Sequence, residues 1–150
     1  MGQDRQTKIK MQDGFTSLKS ILPPPSKRAV ILIDPPYELK TDYLQVVDCI
    51  KDSMNRFATG TYMIWYPLLQ RPQSLNMIDK LKTLKVNNWL YVSLTTQAPS
   101  ADGFGMHGSG MFIINPPYTL PEILSNTMPV LVDLLGQDEA AHYSLEMNII

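Results

Sequence analysis

The chain has 150 residues, of which 44% are hydrophobic and 18% are charged, and its formal net charge is −1. This composition excludes a disordered chain and is typical of one globular domain, while the charge gives no overall sign of nucleic-acid binding but leaves room for a local basic patch. The single cysteine, the lack of an apolar run long enough to cross a bilayer and the lack of a signal core predict a cytoplasmic protein.

Short apolar runs alternate with segments of helical period along the chain. Thr7–Met11 is a weak strand candidate that ends just before Asp13-Gly14, and the β-branched run Ala29–Ile33 predicts a strand buried on both faces of a sheet. Four further strands are predicted at apolar runs, the last of them from its alternating pattern: Thr61–Tyr66, Trp89–Thr95, Met111–Ile114 and Tyr143–Ile149.

Three segments repeat apolar residues at helical steps, and they are listed with their expected ends: Leu44–Phe57 with Thr41 or Asp42 as N-cap, Leu75–Leu81 behind Pro72, and Pro121–Leu135, which is interrupted at Pro129 and stopped by Gly136. Strands that alternate with helices predict an α/β fold with a parallel sheet and right-handed crossovers. No domain boundary is evident, so residues 1–150 are expected to form a single domain.

The strongest local signal is Asp34-Pro35-Pro36-Tyr37, directly after the Ala29–Ile33 strand. Ligands of open α/β sheets bind outside the carboxyl ends of the strands, so chemistry is expected here. The carboxylate of Asp34 and the backbone carbonyl of Pro35 can accept both N–H bonds of an exocyclic base amine. They would orient the amine and stabilise the positive charge that grows on it as a methyl group arrives. The ring of Tyr37 offers a face on which a flipped-out base can stack.

Two alternatives remain open at this point. The four residues can be a turn that ends a strand, with Tyr37 in the core. In addition, a similar loop, Asn115-Pro116-Pro117-Tyr118, follows the Met111–Ile114 strand with an amide in place of the carboxylate. Periodicity does not choose between the two loops. Three strand candidates besides the tail follow Asp34, however, whereas only a helix and the tail follow Asn115, so the first loop fits the middle of a doubly wound sheet better.

Three blocks of the sequence resemble the bacterial 23S rRNA adenine-N6-methyltransferases of the RlmJ type in order and spacing: DGFTSLKSILPPPSKRAVILIDPPYELKTDY, RFATGTYMIWYP and GSGMFIINPPY. Some members of that family carry the older description of proteins involved in catabolism of external DNA. The similarity covers nearly the whole chain from about Lys8 onward. It implies a Rossmann-like class I methyltransferase fold, with S-adenosylmethionine as methyl donor and an adenine of 23S ribosomal RNA as acceptor.

The resemblance also implies roles for single residues. It places the catalytic carboxylate at Asp34, with Pro35 and Tyr37 orienting and stacking the target base, and it leaves the second loop, on a late antiparallel strand, without a catalytic role. The Asp-Gly pair that contacts the cofactor in the family matches Asp13 and Gly14. A carboxylate at this position can accept the N6 amine of the cofactor's adenine. No metal is expected.

Members of the family are about twice as long as this chain, which corresponds to their C-terminal portion. Their first half supplies a glycine-containing cofactor loop, whereas the only glycines before Asp34 here are Gly2 and Gly14. In the family strand order 3-2-1-4-5-7-6, the chain would keep strands 4, 5, 7 and 6, with strand 3 near Lys8 and the first strands absent. The Ala29–Ile33 strand would then present an unpaired apolar edge open to self-association. The isolated chain is expected to be catalytically inactive.

Two other classes of protein remain as alternatives. One is a non-catalytic nucleic-acid-binding or assembly remnant that keeps the fold and has lost the donor site. The other is a nuclease-like role in the use of external DNA, which would need clustered carboxylates. His107 and His142 have no partners at metal-ligand spacing, and we expect each to be an isolated loop or surface residue.

Overall fold

The computed structural model describes residues 6–150. Within that range the chain forms four helices and five strands, in the following order: α1 Gly14–Ile21, β1 Val30–Ile33, α2 Lys40–Arg56, β2 Thr61–Leu68, α3 Gln73–Lys82, β3 Trp89–Thr95, β4 Gly108–Ile114, α4 Leu120–Leu135 and β5 His142–Asn148. The three predicted helices and the five strands predicted from Ala29 onward are present, with their ends shifted by a few residues.

The region before β1 differs from the prediction. Residues Thr7–Met11 form no strand, and a helix that was not predicted, α1, follows them. The carboxylate of Asp13 caps this helix, since its Oδ2 accepts a hydrogen bond from the backbone N–H of Thr16 at 2.7 Å. Phe15 and Leu18 pack against the main core from the same helix. Capping and packing therefore make α1 the first regular element of the described chain.

Two helix details also correct the prediction. The N-cap of α2 is Leu39 rather than Thr41 or Asp42, and the Asp42 carboxylate accepts a hydrogen bond from the Leu39 backbone N–H at 3.1 Å. Helix α4 continues through Pro129 instead of being interrupted there. A proline removes one helical hydrogen bond, but the neighbouring Met128 is buried against the sheet, and this packing holds the helix together.

The sheet is mixed, with the strand order β1-β2-β4-β3-β5. β1 and β2 are parallel, whereas β4 is antiparallel to both β2 and β3, and β5 is antiparallel to β3. The parallel sheet predicted from the alternation of strands and helices is therefore wrong for β4 and β5, whereas the antiparallel strand implied by the family resemblance is present as β4. The connection between β3 and β4 contains no helix, and a parallel pair would need a long crossover. The order of the first four strands is the one expected from the family resemblance.

Helices cover both faces of the sheet and divide the core in two. On one face, α2 and α3 enclose the larger cluster, which includes the fully buried Val46, Ile50 and Tyr62. On the other face, α4 covers a smaller cluster around Leu90 and Met128. No helix within residues 6–150 is long and apolar enough to cross a membrane.

Strand β1 forms one edge of the sheet. Its burial alternates, with Ile31 and Ile33 in the core and Val30 and Leu32 exposed by 68% and 61%, so the predicted burial on both faces is wrong. Among residues 6–150 no strand pairs with the outer side of β1, which confirms the predicted apolar edge. Self-association through this edge stays a prediction.

Candidate active site

Strand direction places the two proline loops at opposite ends of the strands. Asp34 follows β1, and the parallel strand β2 ends at Leu68 on the same side of the sheet. β4 runs in the opposite direction, so Ile114 at its end pairs with Tyr62 near the start of β2. Asn115 therefore lies at the amino ends of β1 and β2, whereas Asp34 lies at their carboxyl ends, where ligands of open α/β sheets bind.

A cavity of about 380 Å³ opens beside the first loop. It lies between α1 and the end of β1 and is lined by these residues: Asp13, Gly14, Phe15, Leu18, Leu32, Ile33, Asp34, Pro35 and Pro36. Its volume falls in the range of roughly 300–1,000 Å³ that is usual for small-molecule sites. Four of the five predicted site residues meet in it, although they come from two separate segments of the chain.

Asp34 presents its carboxylate without a partner from the protein. The residue is exposed, and among residues 6–150 its side chain makes no hydrogen bond or ion pair. Pro35 is half-buried, and the two prolines fix the backbone φ angles of the loop. The carboxylate and the Pro35 carbonyl therefore lie in a stiff loop beside the cavity, with the carboxylate open to an incoming donor.

Tyr37 does not line this cavity, and its ring is 5% exposed. Its hydroxyl donates a hydrogen bond to the backbone carbonyl of Trp65 at 2.6 Å, and its ring centroid lies 4.7 Å from that of Tyr43. Burial raises the pKa of the Tyr37 hydroxyl well above its usual value, so the group stays protonated. The rings of Tyr43 and Trp65 lie beside that of Tyr37 in tilted contacts, and the stacking of a base on Tyr37 stays a prediction. The alternative interpretation, Tyr37 as a core residue, describes its position.

Asp13 has a structural duty as well as a place in the cavity. Its hydrogen bond with Thr16 is the main cause of a lowered pKa, so the carboxylate is charged at neutral pH. A carboxylate has room for more than one hydrogen bond, and capping α1 does not exhaust its accepting capacity. The cavity thus has an acidic group on each side, Asp13 on α1 and Asp34 after β1.

Asn115, the counterpart of Asp34 in the second loop, has a structural role, because it forms hydrogen bonds with the segment that leads into β2. Its Nδ2 donates hydrogen bonds to the backbone carbonyls of Ala58 and Gly60, each at 2.8 Å. Its own carbonyl accepts a hydrogen bond from the Thr61 hydroxyl at 2.9 Å. Tyr118, at the end of this loop, is 93% exposed. The second loop therefore ties the start of β2 to the end of β4.

The sequence reasoning missed the apolar wall of the cavity, which Phe15, Leu18 and Leu32 contribute. A signal for the first two was present: Asp13 is a favoured N-cap, and two apolar residues follow it at a spacing of three. Leu32 was missed because the prediction buried both faces of β1. Its exposure follows from the position of β1 at the edge of the described sheet.

A second cavity, of about 280 Å³, lies at the same end of the sheet as Asp34, between β3, β5 and the loop before β4. Both His107 and His142 line it, so the structure brings together two residues that were expected to be isolated, and we call it the histidine cleft. Within the described part of the chain, no three His, Cys, Asp or Glu side chains come together as a potential metal site.

The chain is similar in sequence to known proteins. The profile of the family described as ribosomal RNA large subunit methyltransferase D, RlmJ, matches residues 1–149. The chain is 44% identical over 129 residues to ribosomal RNA large subunit methyltransferase J of Escherichia coli strain K12, covering 86% of this chain and 46% of that protein. It is 39% identical over 143 residues to the protein of the same name from Haemophilus influenzae, covering 95% of this chain and 50% of the relative.

A solved crystal structure agrees with the fold. A protein from Legionella pneumophila strain Philadelphia 1 superimposes with a TM-score of 0.83 at 31% identity, over 91% of this chain and 50% of that one. The chain thus spans about half the length of the curated relatives it matches. On the family profile and these identities, the chain belongs to the RlmJ family of ribosomal RNA large subunit methyltransferases and has its Rossmann-like α/β fold.

Proposed function

We propose that this chain is the acceptor-side, C-terminal part of a catalytic domain that methylates the N6 amine of an adenine in 23S ribosomal RNA, with S-adenosylmethionine as donor. The observation that carries the proposal is that Asp34 and Pro35 meet Asp13 and Gly14 around one cavity, at the carboxyl end of β1. The relatives' description as ribosomal RNA large subunit methyltransferases supports the substrate class. A ribosomal RNA substrate would place the protein in the cytoplasm.

The chemistry that the first loop would perform is orientation of a weak nucleophile. The lone pair of an exocyclic adenine amine is delocalised into the ring, and two acceptors that hold its N–H bonds favour the geometry in which it attacks. The exposed carboxylate of Asp34 supplies one acceptor and the carbonyl of Pro35 the other. As the amine nitrogen becomes positively charged, the negative charge of Asp34 stabilises it. Transfer would be a direct in-line displacement without a covalent intermediate on the protein.

The residues around the cavity fit part of the donor, which supplies the methyl group when bound. Asp13 and Gly14 would hold its adenine, with the Asp13 carboxylate accepting the N6 amine, and Phe15 and Leu18 would provide an apolar wall for the ring. Asp13 is charged and keeps accepting capacity beyond its cap. The remaining donor contacts would come from segments that the relatives have in addition to the matched half.

Tyr37 would act as a positioning residue rather than as a stacking platform. Its backbone φ of 53° is unusual for a bulky residue, and the partly buried hydrogen bond to the Trp65 carbonyl holds it there. This anchor fixes the end of the loop whose start carries Asp34. The acceptors would therefore be held in place before the base arrives.

The proposal is tested by titrating S-adenosylmethionine calorimetrically into the 150-residue chain and into a chain extended to the length of the relatives. Transfer of labelled methyl groups to 23S ribosomal RNA is then followed, with nucleoside analysis of the product. We expect the extended chain to bind the donor and to form N6-methyladenosine in RNA, and the 150-residue chain to do neither. Micromolar donor binding by the short chain would contradict the division of the donor site. Labelling of DNA in place of RNA, or of neither, would contradict the substrate.

A further inference from the structure

The histidine cleft and the first loop lie at the same end of the sheet, where β1, β2 and β3 end. β3 ends at Thr95 and β5 begins at His142, and these two residues are paired across the strands. Gly108, which begins β4, pairs with Thr95 on one side and Leu68 on the other. Between β1 and the strands of the cleft there are two to four inter-strand spacings, roughly 10–20 Å. A few nucleotides of a single strand bridge that distance.

Hydroxyl groups without protein partners line the cleft. Ser93 and Thr95 are 6% and 7% exposed, and among residues 6–150 neither side chain makes a hydrogen bond. Their cross-strand neighbours, Ser144 and His142, line the same cavity. A nearly buried hydroxyl is normally satisfied by protein or by ordered water, and a ligand that enters the cleft can take the place of that water. Among residues 6–150, the hydroxyls of Ser93 and Thr95 are thus free to bind what enters the cleft, whereas the His142 Nδ1 already pairs with the Ala140 carbonyl at 2.7 Å.

His107 adds a further unsatisfied group. Its backbone is fixed on both sides, since its N–H donates to the Leu68 carbonyl at 3.1 Å and its carbonyl accepts from the Thr96 N–H at 2.9 Å. Its Nδ1, in contrast, is buried and has no hydrogen-bond partner in the described chain. The backbone of His107 is thus fixed in the wall of the cleft, and its imidazole has one buried nitrogen without a partner among residues 6–150.

Size and charge identify the class of ligand. The cleft volume of about 280 Å³ greatly exceeds the share of liquid volume that one water molecule takes, about 30 Å³. No Lys, Arg, Asp or Glu belongs to its lining, and Leu68 and Pro99 add apolar surface to the polar groups. A phosphate would find neither lysine nor arginine in this lining, the side chains that bind phosphate most strongly. A neutral heterocycle with several donors and acceptors, which is to say a nucleobase, fits both the polar and the apolar parts.

We propose that the histidine cleft binds an unpaired base of the RNA strand that carries the target adenine. This inference rests on the proposed function for the identity of the strand. Sequence-specific RNA recognition usually takes unstacked bases of single strands and pairs their edges with protein groups. A base seated at Ser93, Thr95 and His107 would fix the register of the strand, so that the target adenine reaches Asp34.

The test measures binding of the 150-residue chain to a fluorescein-labelled single-stranded RNA of about ten nucleotides with one central adenine. Abasic sites are introduced one at a time on either side of that adenine. We expect a single flanking abasic position to weaken binding about tenfold, because one base contact is lost. Fluorescence anisotropy gives the dissociation constant of each oligonucleotide.

Ser144→Leu, which fills the cleft from β5, is compared with Thr127→Leu on the exposed surface of α4. Filling the cleft is expected to weaken binding of intact RNA by the same factor, with no further loss from the sensitive abasic site, whereas the control behaves as wild type. Thr95→Val removes one hydroxyl at constant volume and serves if Ser144→Leu does not fold. It is expected to weaken binding about threefold.

The outcomes separate this inference from the proposed function. If RNA binds but neither the abasic positions nor the cleft variants matter, the cleft proposal is overturned while methyl transfer stands or falls by its own assay. A uniform loss that depends on salt rather than on the base would overturn it in favour of a phosphate site. If the wild-type chain does not bind RNA, this inference fails with it, and donor binding and methyl transfer by the extended chain still decide the proposed function.

Discussion

The two proline loops of this protein differ by one atom type in their first side chain and occupy opposite ends of the sheet. Asp-Pro-Pro-Tyr at 34–37 follows a strand that runs parallel to its neighbour and faces a cavity. Asn-Pro-Pro-Tyr at 115–118 follows an antiparallel strand, and its Asn side chain is consumed by two backbone carbonyls. The same four-letter pattern therefore gives an open carboxylate in one place and a structural clasp in the other.

The fate of the tyrosine is also reversed between the loops. Tyr37 is buried and hydrogen-bonded, whereas Tyr118 is 93% exposed. In the first loop the first residue is open and the last is anchored; in the second loop the first is anchored and the last is open. In each loop the residue whose side chain is hydrogen-bonded to the protein has a left-handed backbone, with φ of 53° at both Tyr37 and Asn115. The fold thus decides whether the polar group of this short pattern is left unpaired, as at Asp34, or is bound by the protein, as at Asn115.

The largest effect is expected from Asp34→Asn, measured by methyl transfer in whichever form of the protein is active. Loss of the negative charge beside the developing cation should lower the rate by about 100-fold or more. Asn115→Asp, which makes the second loop identical to the first, should not restore activity in the Asp34→Asn background. Recovery of activity by this double variant would show that the position of the loop is less important than its sequence.

Stability should respond in the opposite order. Asn115→Ala removes two hydrogen bonds, an exposed one to the Ala58 carbonyl and a partly buried one to the Gly60 carbonyl, and should cost about 2 kcal/mol of unfolding free energy. Asp34→Ala, an exposed side chain without hydrogen bonds, should stay within about 0.5 kcal/mol of wild type. Urea unfolding of both variants measures the difference. Equal losses would mean that the two loops are alike in their structural roles.

Tyr37→Phe should cost about 1 kcal/mol, because the hydroxyl no longer donates to the Trp65 carbonyl. Tyr118→Phe is the matched control and should have no measurable effect, since its ring is exposed. The same denaturant titration serves for both. The phenylalanine keeps an aromatic ring, so a variant of unchanged stability but weakened RNA binding would instead support a direct contact of the Tyr37 hydroxyl with the substrate.

The smallest effect concerns acid. The pKa of Asp13 is lowered in the folded chain, mainly by the Thr16 hydrogen bond, so its contribution to stability is present above the unfolded value of 3.8 and is lost as pH falls through the folded pKa. Asp13→Asn keeps a favoured N-cap and cannot titrate. Wild type should therefore lose stability relative to Asp13→Asn as pH falls from 5 toward 2, followed by circular dichroism. Parallel curves would contradict the role of the cap.

Several residues that line the candidate site could be predicted because their signals are local. A β-branched run predicts a strand, and a carboxylate directly after it predicts a group at a strand end. Asp34 and Pro35 needed no more than this, and the family resemblance added Asp13 and Gly14. The interior of α4 shows the limit of local signals. Pro129 predicts a break, but burial of the neighbouring Met128 overrides it.

The sequence by itself determined the family, the α/β class, most of the helices and strands, and the chemical character of the first loop. Only the tertiary structure decided the antiparallel pairing of β5 with β3, the burial of Tyr37, the meeting of α1 with the Asp34 loop, and the shared cleft of His107 and His142. The physical reason is the range of the interactions. Periodicity, caps and turns depend on neighbours within a few residues, whereas strand direction and side-chain burial depend on contacts between segments that only the folded chain brings together.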